Sequence, residues 1–297
     1  MELPEGLSTR PLSRDDAHAV YELMVAQETA DLDEVMIEEA DIVSDWSPAS
    51  FDIAGSTIGV LDGDRLVGYG EVGTSGRCDA AVDPAYRGRG IGTAIARWMQ
   101  DNGRGRGIAE IGMPVPQGSP GDRLLEALGY RVRWESWGLA LLDGARVPQR
   151  DLPDGYSVRE ADPSEYEQVW QVQEDAFLEW SARDREPFED WRASVIGRPG
   201  FEPWHLRVVV DPAGAVVAMA WVQLGLDTAF IARLATTKAE RGRGLAQALL
   251  VDSFRVGREH GAHKSELSTD SRTGALSLYE KVGMVVTSRW VNRGLVL

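Results

Sequence analysis

Two short stretches of this chain could hold a strongly anionic ligand. Arg87-Gly88-Arg89-Gly90-Ile91-Gly92 recurs as Arg241-Gly242-Arg243-Gly244-Leu245-Ala246. Glycine admits backbone dihedrals closed to other residues and lets a ligand approach the main chain. Where such a stretch joins a strand to a helix, the first N–H groups of the helix have no partner within it. The helix dipole then helps to make them an anion cradle. Four arginines add positive charge, and a diphosphate is the natural guest. Neither stretch is a Walker A loop, since no Gly-Lys-Ser/Thr follows, and neither has the Gly-x-Gly-x-x-Gly spacing of a dinucleotide fingerprint. One such turn is often only a tight loop; two in the same setting point to phosphate.

The elements that must position these loops also recur. The loops lie 241 − 87 = 154 residues apart, and Leu125-Glu126-Ala127-Leu128-Gly129-Tyr130 matches Tyr279-Glu280-Lys281-Val282-Gly283-Met284 at 283 − 129 = 154. Upstream, Leu66–Gly70 matches Val216–Ala220 at 216 − 66 = 150, and Ser8–Arg10 matches Ser157–Arg159 at 157 − 8 = 149. Four anchors in order, a whole domain apart, mark a duplication and not a solenoid. The expected domains are residues 1–146 and 156–297, joined by a polar, proline-bearing linker at 147–155.

Each half predicts one order of elements. A short strand leads to an amphipathic helix (Asp15–Val25; Pro163–Ala176), with Asp15 and Ser164 as caps. A hairpin comes next, Thr57–Leu61 with Leu66–Val72 and Leu206–Val210 with Val216–Leu224. Its turns are Asp62-Gly63-Asp64 and Asp211-Pro212-Ala213-Gly214. A third strand (Cys78–Val82; Phe230–Thr236) runs into the glycine motif and a helix (Ile91–Asn102; Leu245–Glu259). Strand, helix and strand close the half. The fold class is α/β: two tandem domains, each a mixed, largely antiparallel sheet flanked by helices.

Bulk properties narrow the partners. A length of 297 residues suits two domains, and 43% hydrophobic residues suffice for two cores. The net charge of 31 − 47 = −16 repels nucleic acid. The lone Cys78 excludes a disulfide within the chain and a cysteine-rich zinc site, so no metal is expected. It fits a reducing compartment. No signal peptide and no apolar run near the ~20 residues of a membrane span is visible. The expectation is a cytoplasmic chain with no membrane partner, monomeric or homodimeric.

Val82-Asp83-Pro84-Ala85-Tyr86-Arg87-Gly88-Arg89-Gly90-Ile91-Gly92 resembles the CoA-binding motif of the GCN5-related N-acetyltransferases. Ser277-Leu278-Tyr279-Glu280-Lys281-Val282-Gly283-Met284 resembles that family's closing signature. The resemblance covers nearly the whole chain, twice. It implies acetyl-CoA as co-substrate, its diphosphate bound by loop amides of Arg87, Gly88, Arg89, Gly90, Ile91 and Gly92 in the first half and of Arg241, Gly242, Arg243, Gly244, Leu245 and Ala246 in the second. It also implies that the preceding strand splays from its neighbour and pairs its backbone with the pantetheine arm. That role falls on Ala80, Ala81 and Val82 and on Leu234, Ala235 and Thr236, where one amide faces the thioester carbonyl and would stabilise the oxyanion. Tyr279 takes the place of the family's general acid to the leaving thiolate. The alternative for Tyr279 is a core tyrosine with a satisfied hydroxyl.

The first half departs from the pattern, because Leu125 stands where Tyr279 stands in the second. It either binds acetyl-CoA without turnover or serves as scaffold. In the second half Arg272 replaces a frequent asparagine; it reaches a phosphate or is merely solvated. The implied reaction is acetyl (acyl) transfer to the primary amine of a small molecule, by direct attack, in the second half. The alternatives are acetylation of a cysteinyl amino-sugar and a non-catalytic acyl-CoA-sensing module. Cys78 has no basic partner in sight, which argues against a covalent cysteine intermediate.

The general base is not legible: Glu174, Asp227 and Glu266 are candidates, whereas His205 and His263 read as surface or structural. Phe177, Trp180, Phe188, Trp191, Phe201 and Trp204 flank the expected acceptor region and read mainly as core or groove cover. Glu28, Asp31, Asp33, Glu34, Glu38, Glu39, Asp41 and Asp45 flank the corresponding region of the first half, with no lysine or arginine among them. They read as a solvated face, or as a surface for a cationic acceptor.

Overall fold

The structure, a computed structural model, describes residues 3–32, 34–181, 183–225 and 227–297; Asp33 of the acidic stretch lies outside them. The first repeat runs β1 (Leu7–Arg10), α1 (Ala17–Leu32), α2 (Glu39–Asp45), α3 (Ile53–Ser56), β2 (Thr57–Asp62), β3 (Arg65–Val72), β4 (Cys78–Val82), α4 (Ile91–Gly105), β5 (Glu110–Pro116), α5 (Pro120–Ala127) and β6 (Arg131–Leu141). The second runs β7 (Ser157–Glu160), α6 (Tyr166–Phe177), α7 (Phe188–Val195), β8 (Leu206–Val210), β9 (Val216–Leu224), β10 (Thr228–Thr236), α8 (Leu245–Glu259), β11 (Lys264–Asp270), α9 (Leu276–Glu280) and β12 (Val285–Val296). The expected α/β class with mixed sheets is what forms.

Two compact units result, but they do not follow the expected boundaries at 146 and 156. Unit 1 consists of Met1–Glu135, Gly197–Pro199 and Trp290–Leu297, and unit 2 of Ser136–Ile196 and Gly200–Arg289. The physical reason lies in the two longest strands. The far half of β12 belongs to unit 1, where Trp290–Val296 pairs antiparallel with Pro116–Glu110 of β5. The far half of β6 belongs to unit 2, where Ser136–Leu141 pairs antiparallel with Asp270–Ser265 of β11. Each unit therefore takes its closing strand from the other repeat.

Within unit 1, β1, β2, β3 and β4 form an antiparallel run in that order. Helix α4 lies close on β3, because a Cβ on Gly68 would come within 2.9 Å of Ile91 and one on Gly70 within 2.6 Å of Ile95. In unit 2, β7, β8, β9 and β10 are likewise antiparallel neighbours, and β10 then meets β11 in parallel. Helix α8 buries Leu245, Leu249, Leu250 and Phe254 at helical spacing against Val209, Ala218, Ala220 and Ile231. Replacing the fully buried Phe254 by alanine is expected to lower stability by about 3–5 kcal/mol in urea denaturation; a loss under about 1 kcal/mol would contradict this packing.

The first helices start later than expected. A 3₁₀ turn precedes each, so the caps are Ser13 and Asp162, not Asp15 and Ser164. The Ser13 N–H donates to Asp16 at 2.8 Å, and the Asp162 N–H donates to Glu165 at 2.9 Å. Among the described residues no helix is long and apolar enough to cross a membrane.

Candidate active site

In unit 2 the site is a gap that opens between two strands. β10 and β11 pair only over Thr228–Phe230 and Lys264–Glu266, among the described residues. Past that point the register of β10 against β9 shifts between Ile231 and Arg233. Such a bulge twists a strand and re-aims the residues beyond it. The Thr237 N–H donates to the Val217 carbonyl at 2.9 Å, so by alternation the main-chain groups of Leu234 and Thr236 face away from β9, into the gap. Of the three residues expected to meet the pantetheine arm, Leu234 and Thr236 turn their main-chain groups to the gap, and Ala235 turns its own to β9.

Directly beyond it, Gly242 and Gly244 take φ of +80° and +81°, and Gly244 caps α8. A Cβ on either would meet nothing within 4 Å. Both are glycine because of the left-handed backbone, and the space above them is free. The Leu245 side chain is buried in the core, which fixes where α8 begins and where its first amides point. In unit 1, Gly88 and Gly90 repeat this at φ +75° and +90° over equally free space, and Ile91 is the buried anchor. Gly92 has a packing reason instead: its Cβ would come within 2.8 Å of Leu124 on α5.

The arginines do something other than add charge to the cradle. Arg241 forms a two-pronged pair with Glu179 at 2.7 and 3.0 Å, and its Nε donates to the Thr236 carbonyl at 3.1 Å. Arg87 does the same with Asp31 at 2.8 and 2.9 Å. Their charge is spent on tying the loop to the end of the first helix of each repeat. Arg89 lies over the Tyr86 ring at 4.7 Å, and Arg243 donates to the Tyr156 hydroxyl at 2.9 Å. The part of each loop left open is its main-chain amides, with Arg89 and Arg243 exposed beside them.

Tyr279 sits on α9 and is 9% exposed, packed in the core of unit 2. Burial raises its pKa above the ordinary phenol value; a hydrogen bond with Thr269 on β11 opposes the shift and the charge of Asp270 adds to it. The hydroxyl therefore stays protonated throughout the neutral range. Leu125, its counterpart in unit 1, is a core leucine, 3% exposed.

Of the candidate bases, Glu174 is fully buried and bound to Arg183 at 2.6 and 2.8 Å and to the Glu186 N–H at 2.9 Å. Burial alone would raise its pKa, but these partners prevail and lower it. It fastens α6 to the loop before α7. Glu266 pairs with Lys264 at 3.0 Å, and the Asp227 carboxylate accepts from Thr228 at 2.8 Å. Arg272 pairs with Asp270 at 2.5 Å and lies over the Trp180 ring at 4.8 Å. His205 is buried, its Nδ1 accepting from the Glu202 N–H at 2.9 Å. Of the aromatics, Trp191 is fully buried and stacked with Phe188, Trp204 stacks on His260 at 4.0 Å, and Trp180 remains 37% exposed. Cys78 is buried, which pushes its thiol up to about 12 and rules it out as a nucleophile.

Three features of unit 1 have no counterpart in the sequence pattern. The acidic stretch is not simply solvated: Arg198, 8% exposed, pairs with Glu38 at 2.6 Å and Asp41 at 2.9 Å, and Arg87 takes Asp31. Gln27 on α1 lies along β4, accepting from the Val82 N–H at 2.9 Å and donating to the Ala80 carbonyl at 3.5 Å. Glu71 on β3 is half-buried, accepting from Tyr69 and from Trp46 Nε1.

Burial, then the nearby Asp79, pushes the Glu71 carboxyl up to about 7 from 4.5. The unfolded carboxyl ionises near the lower value and the folded one near the higher. The folded state therefore loses ground as pH rises between them. Glu71→Gln is expected to gain about 1–3 kcal/mol relative to wild type on going from pH 5 to pH 8. Denaturation at both pH values checks this; an equal offset at the two would contradict it.

Comparison with known proteins then identifies the pattern. The family model described as Acetyltransferase (GNAT) family matches twice, over residues 17–130 and 166–284. A mycothiol acetyltransferase from Nocardia farcinica is 28% identical over 294 residues, covering 93% of this chain and 92% of the relative. Another, from Salinispora tropica, is 29% identical over 251 residues, covering 76% of this chain and 77% of the relative. Among solved structures, a GCN5-related N-acetyltransferase from Sphaerobacter thermophilus superposes with TM-score 0.76 at 25% identity, covering 99% of this chain and 97% of that one. A tandem GNAT protein from the clavulanic acid biosynthesis pathway has TM-score 0.73 at 17% identity, covering 98% of both, and attests to the fold alone.

Proposed function

We infer the function from one premise: this chain belongs to the acetyltransferase (GNAT) family, as a tandem member. The reaction is transfer of an acetyl group from acetyl-CoA to the primary amine of a small molecule, carried out in unit 2. The observation that carries this reading is the conjunction there of an open β10 edge, a left-handed glycine loop at a helix start, and a buried protonated phenol. Amides at the start of α8 hold the diphosphate. The Leu234 main-chain groups and the Thr236 N–H offer the pantetheine amides the pairing a strand would offer, while the Thr236 carbonyl is held by Arg241. The amine nitrogen attacks the thioester carbonyl carbon, the C–S bond breaks, and the thiolate takes its proton from Tyr279. The amine's own surplus proton passes to solvent, and solvent returns a proton to Tyr279. Among the described residues no His/Cys/Asp/Glu cluster has a metal-binding arrangement.

The test is release of free thiol from acetyl-CoA by the purified full-length chain with a panel of amines. Turnover above background hydrolysis with at least one amine is expected. Binding of acetyl-CoA without turnover on any amine would leave the sensing module in place of the enzyme. A second reading of the acceptor is favoured by the relatives named mycothiol acetyltransferases, one matched over nearly its whole length. It makes the amine that of a cysteinyl amino-sugar, and including that compound in the panel decides it.

A further inference from the structure

Unit 1 carries the same glycine loop as unit 2, yet its strand edge is already taken. By alternation from the Asp83 N–H, which donates to Val67 at 3.0 Å, the Ala80 and Val82 main-chain groups face away from β3. Those are the groups Gln27 bonds, at 3.5 and 2.9 Å. A primary amide presents one carbonyl and one N–H side by side in a plane. It matches a strand edge as a pantetheine amide would. Asp31, one turn further along α1, holds the loop arginine Arg87. One face of α1 thus closes both the strand edge and the end of the loop.

In unit 2 the loop end is held in the same way, by Glu179 on Arg241, and Arg241 Nε takes the Thr236 carbonyl at 3.1 Å, but α6 supplies no counterpart of Gln27 along the strand edge. The buried faces of the two helices, Val20 and Leu23 on α1 and Val169 and Val172 on α6, align at 169 − 20 = 149. Gln27 then corresponds to Ala176, whose methyl has no polar atom to offer. Its neighbour Asp175 is paired with Arg185, and Gln173 accepts from Trp191 Nε1 at 3.1 Å. Among the described residues no α6 side chain bonds to Leu234 or Thr236.

We propose that Gln27 is an internal surrogate for the pantetheine amide, which keeps the cofactor groove of unit 1 shut and leaves the chain with one acetyl-CoA site. The proposal rests on the reading of unit 2 as an acetyl-CoA site. A tethered side chain is always at hand and needs no binding event to compete. Displacing its two hydrogen bonds weakens binding at unit 1 by roughly 10- to 100-fold.

Calorimetric titration of acetyl-CoA into the full-length protein tests it. Wild type is expected to bind one equivalent and Gln27→Ala two, with thermal melting to show that the variant is folded. Hydrogen exchange on wild type gives a readout that needs no variant: saturating acetyl-CoA should protect the amides of Leu234 and Thr236 and leave the Val82 amide unchanged. Two equivalents in wild type, or one in Gln27→Ala, or new protection at Val82 in wild type, would overturn the occlusion. Zero equivalents in both proteins would overturn the cofactor reading itself.

Discussion

Tyr279→Phe will lower turnover by about 10²- to 10⁴-fold while leaving the affinity for acetyl-CoA unchanged. The ring stays in the core of unit 2, and only the hydroxyl and its bond with Thr269 are lost. That bond is worth about 0.5–1.5 kcal/mol of stability, so the variant folds. What disappears is the proton that the departing thiolate needs. The sign of the pH dependence comes from burial, which raises the phenol above its ordinary value of 10. The active form is the protonated one, so no alkaline loss attributable to Tyr279 should occur below that value. Stopped-time thiol assays of both proteins from pH 6 to pH 10 check this. Equal turnover in variant and wild type would return Tyr279 to the role of a core residue.

The second large effect is on binding. Gly244→Asp is expected to weaken acetyl-CoA binding by about 10²-fold or more in calorimetric titration. Aspartate tolerates the left-handed region better than most residues, so the φ of +81° costs little by itself. Its side chain meets no protein atom within 4 Å of the new Cβ, so no clash with the fold arises. The carboxylate instead occupies the space in front of the α8 amides. Like charges about 4 Å apart repel by about 1–4 kcal/mol between bulk water and a protein surface, and a diphosphate brings more than one charge. Gly244→Ala separates the causes, because it carries the backbone strain without the charge and should bind with intermediate affinity. Undiminished binding by Gly244→Asp would remove the diphosphate from this loop.

What was legible in the chain was whatever local pattern dictates. Strands Cys78–Val82, Leu206–Val210 and Val216–Leu224 and helix Leu245–Glu259 form where alternation, turns and glycine punctuation put them. The loop geometry was legible too, since positive φ at Gly88, Gly90, Gly242 and Gly244 is a property of the residue type. The duplication fixed fold and family.

Pairings across long separations were not legible. Arg87 with Asp31 spans 56 residues, Arg241 with Glu179 spans 62, and Arg198 with Glu38 spans 160. No periodicity marks an ion pair of this kind. Gln27 looks like any half-exposed helix residue until β4 is laid beside it. The one available hint is the contrast with Ala176, and it becomes meaningful only once the buried faces are in register. The strand exchange was hidden because β6 and β12 have the same strand character along their whole lengths.

That exchange bears on how such a chain can change over generations. The half that holds Tyr279 closes its sheet beside β11 with Ser136–Leu141, residues encoded in the other repeat. Deleting the repeat that carries Leu125 at the matching position would therefore strip the remaining one of a structural rung. The first repeat is tied to the second by the strand it lends, whatever it binds or turns over itself.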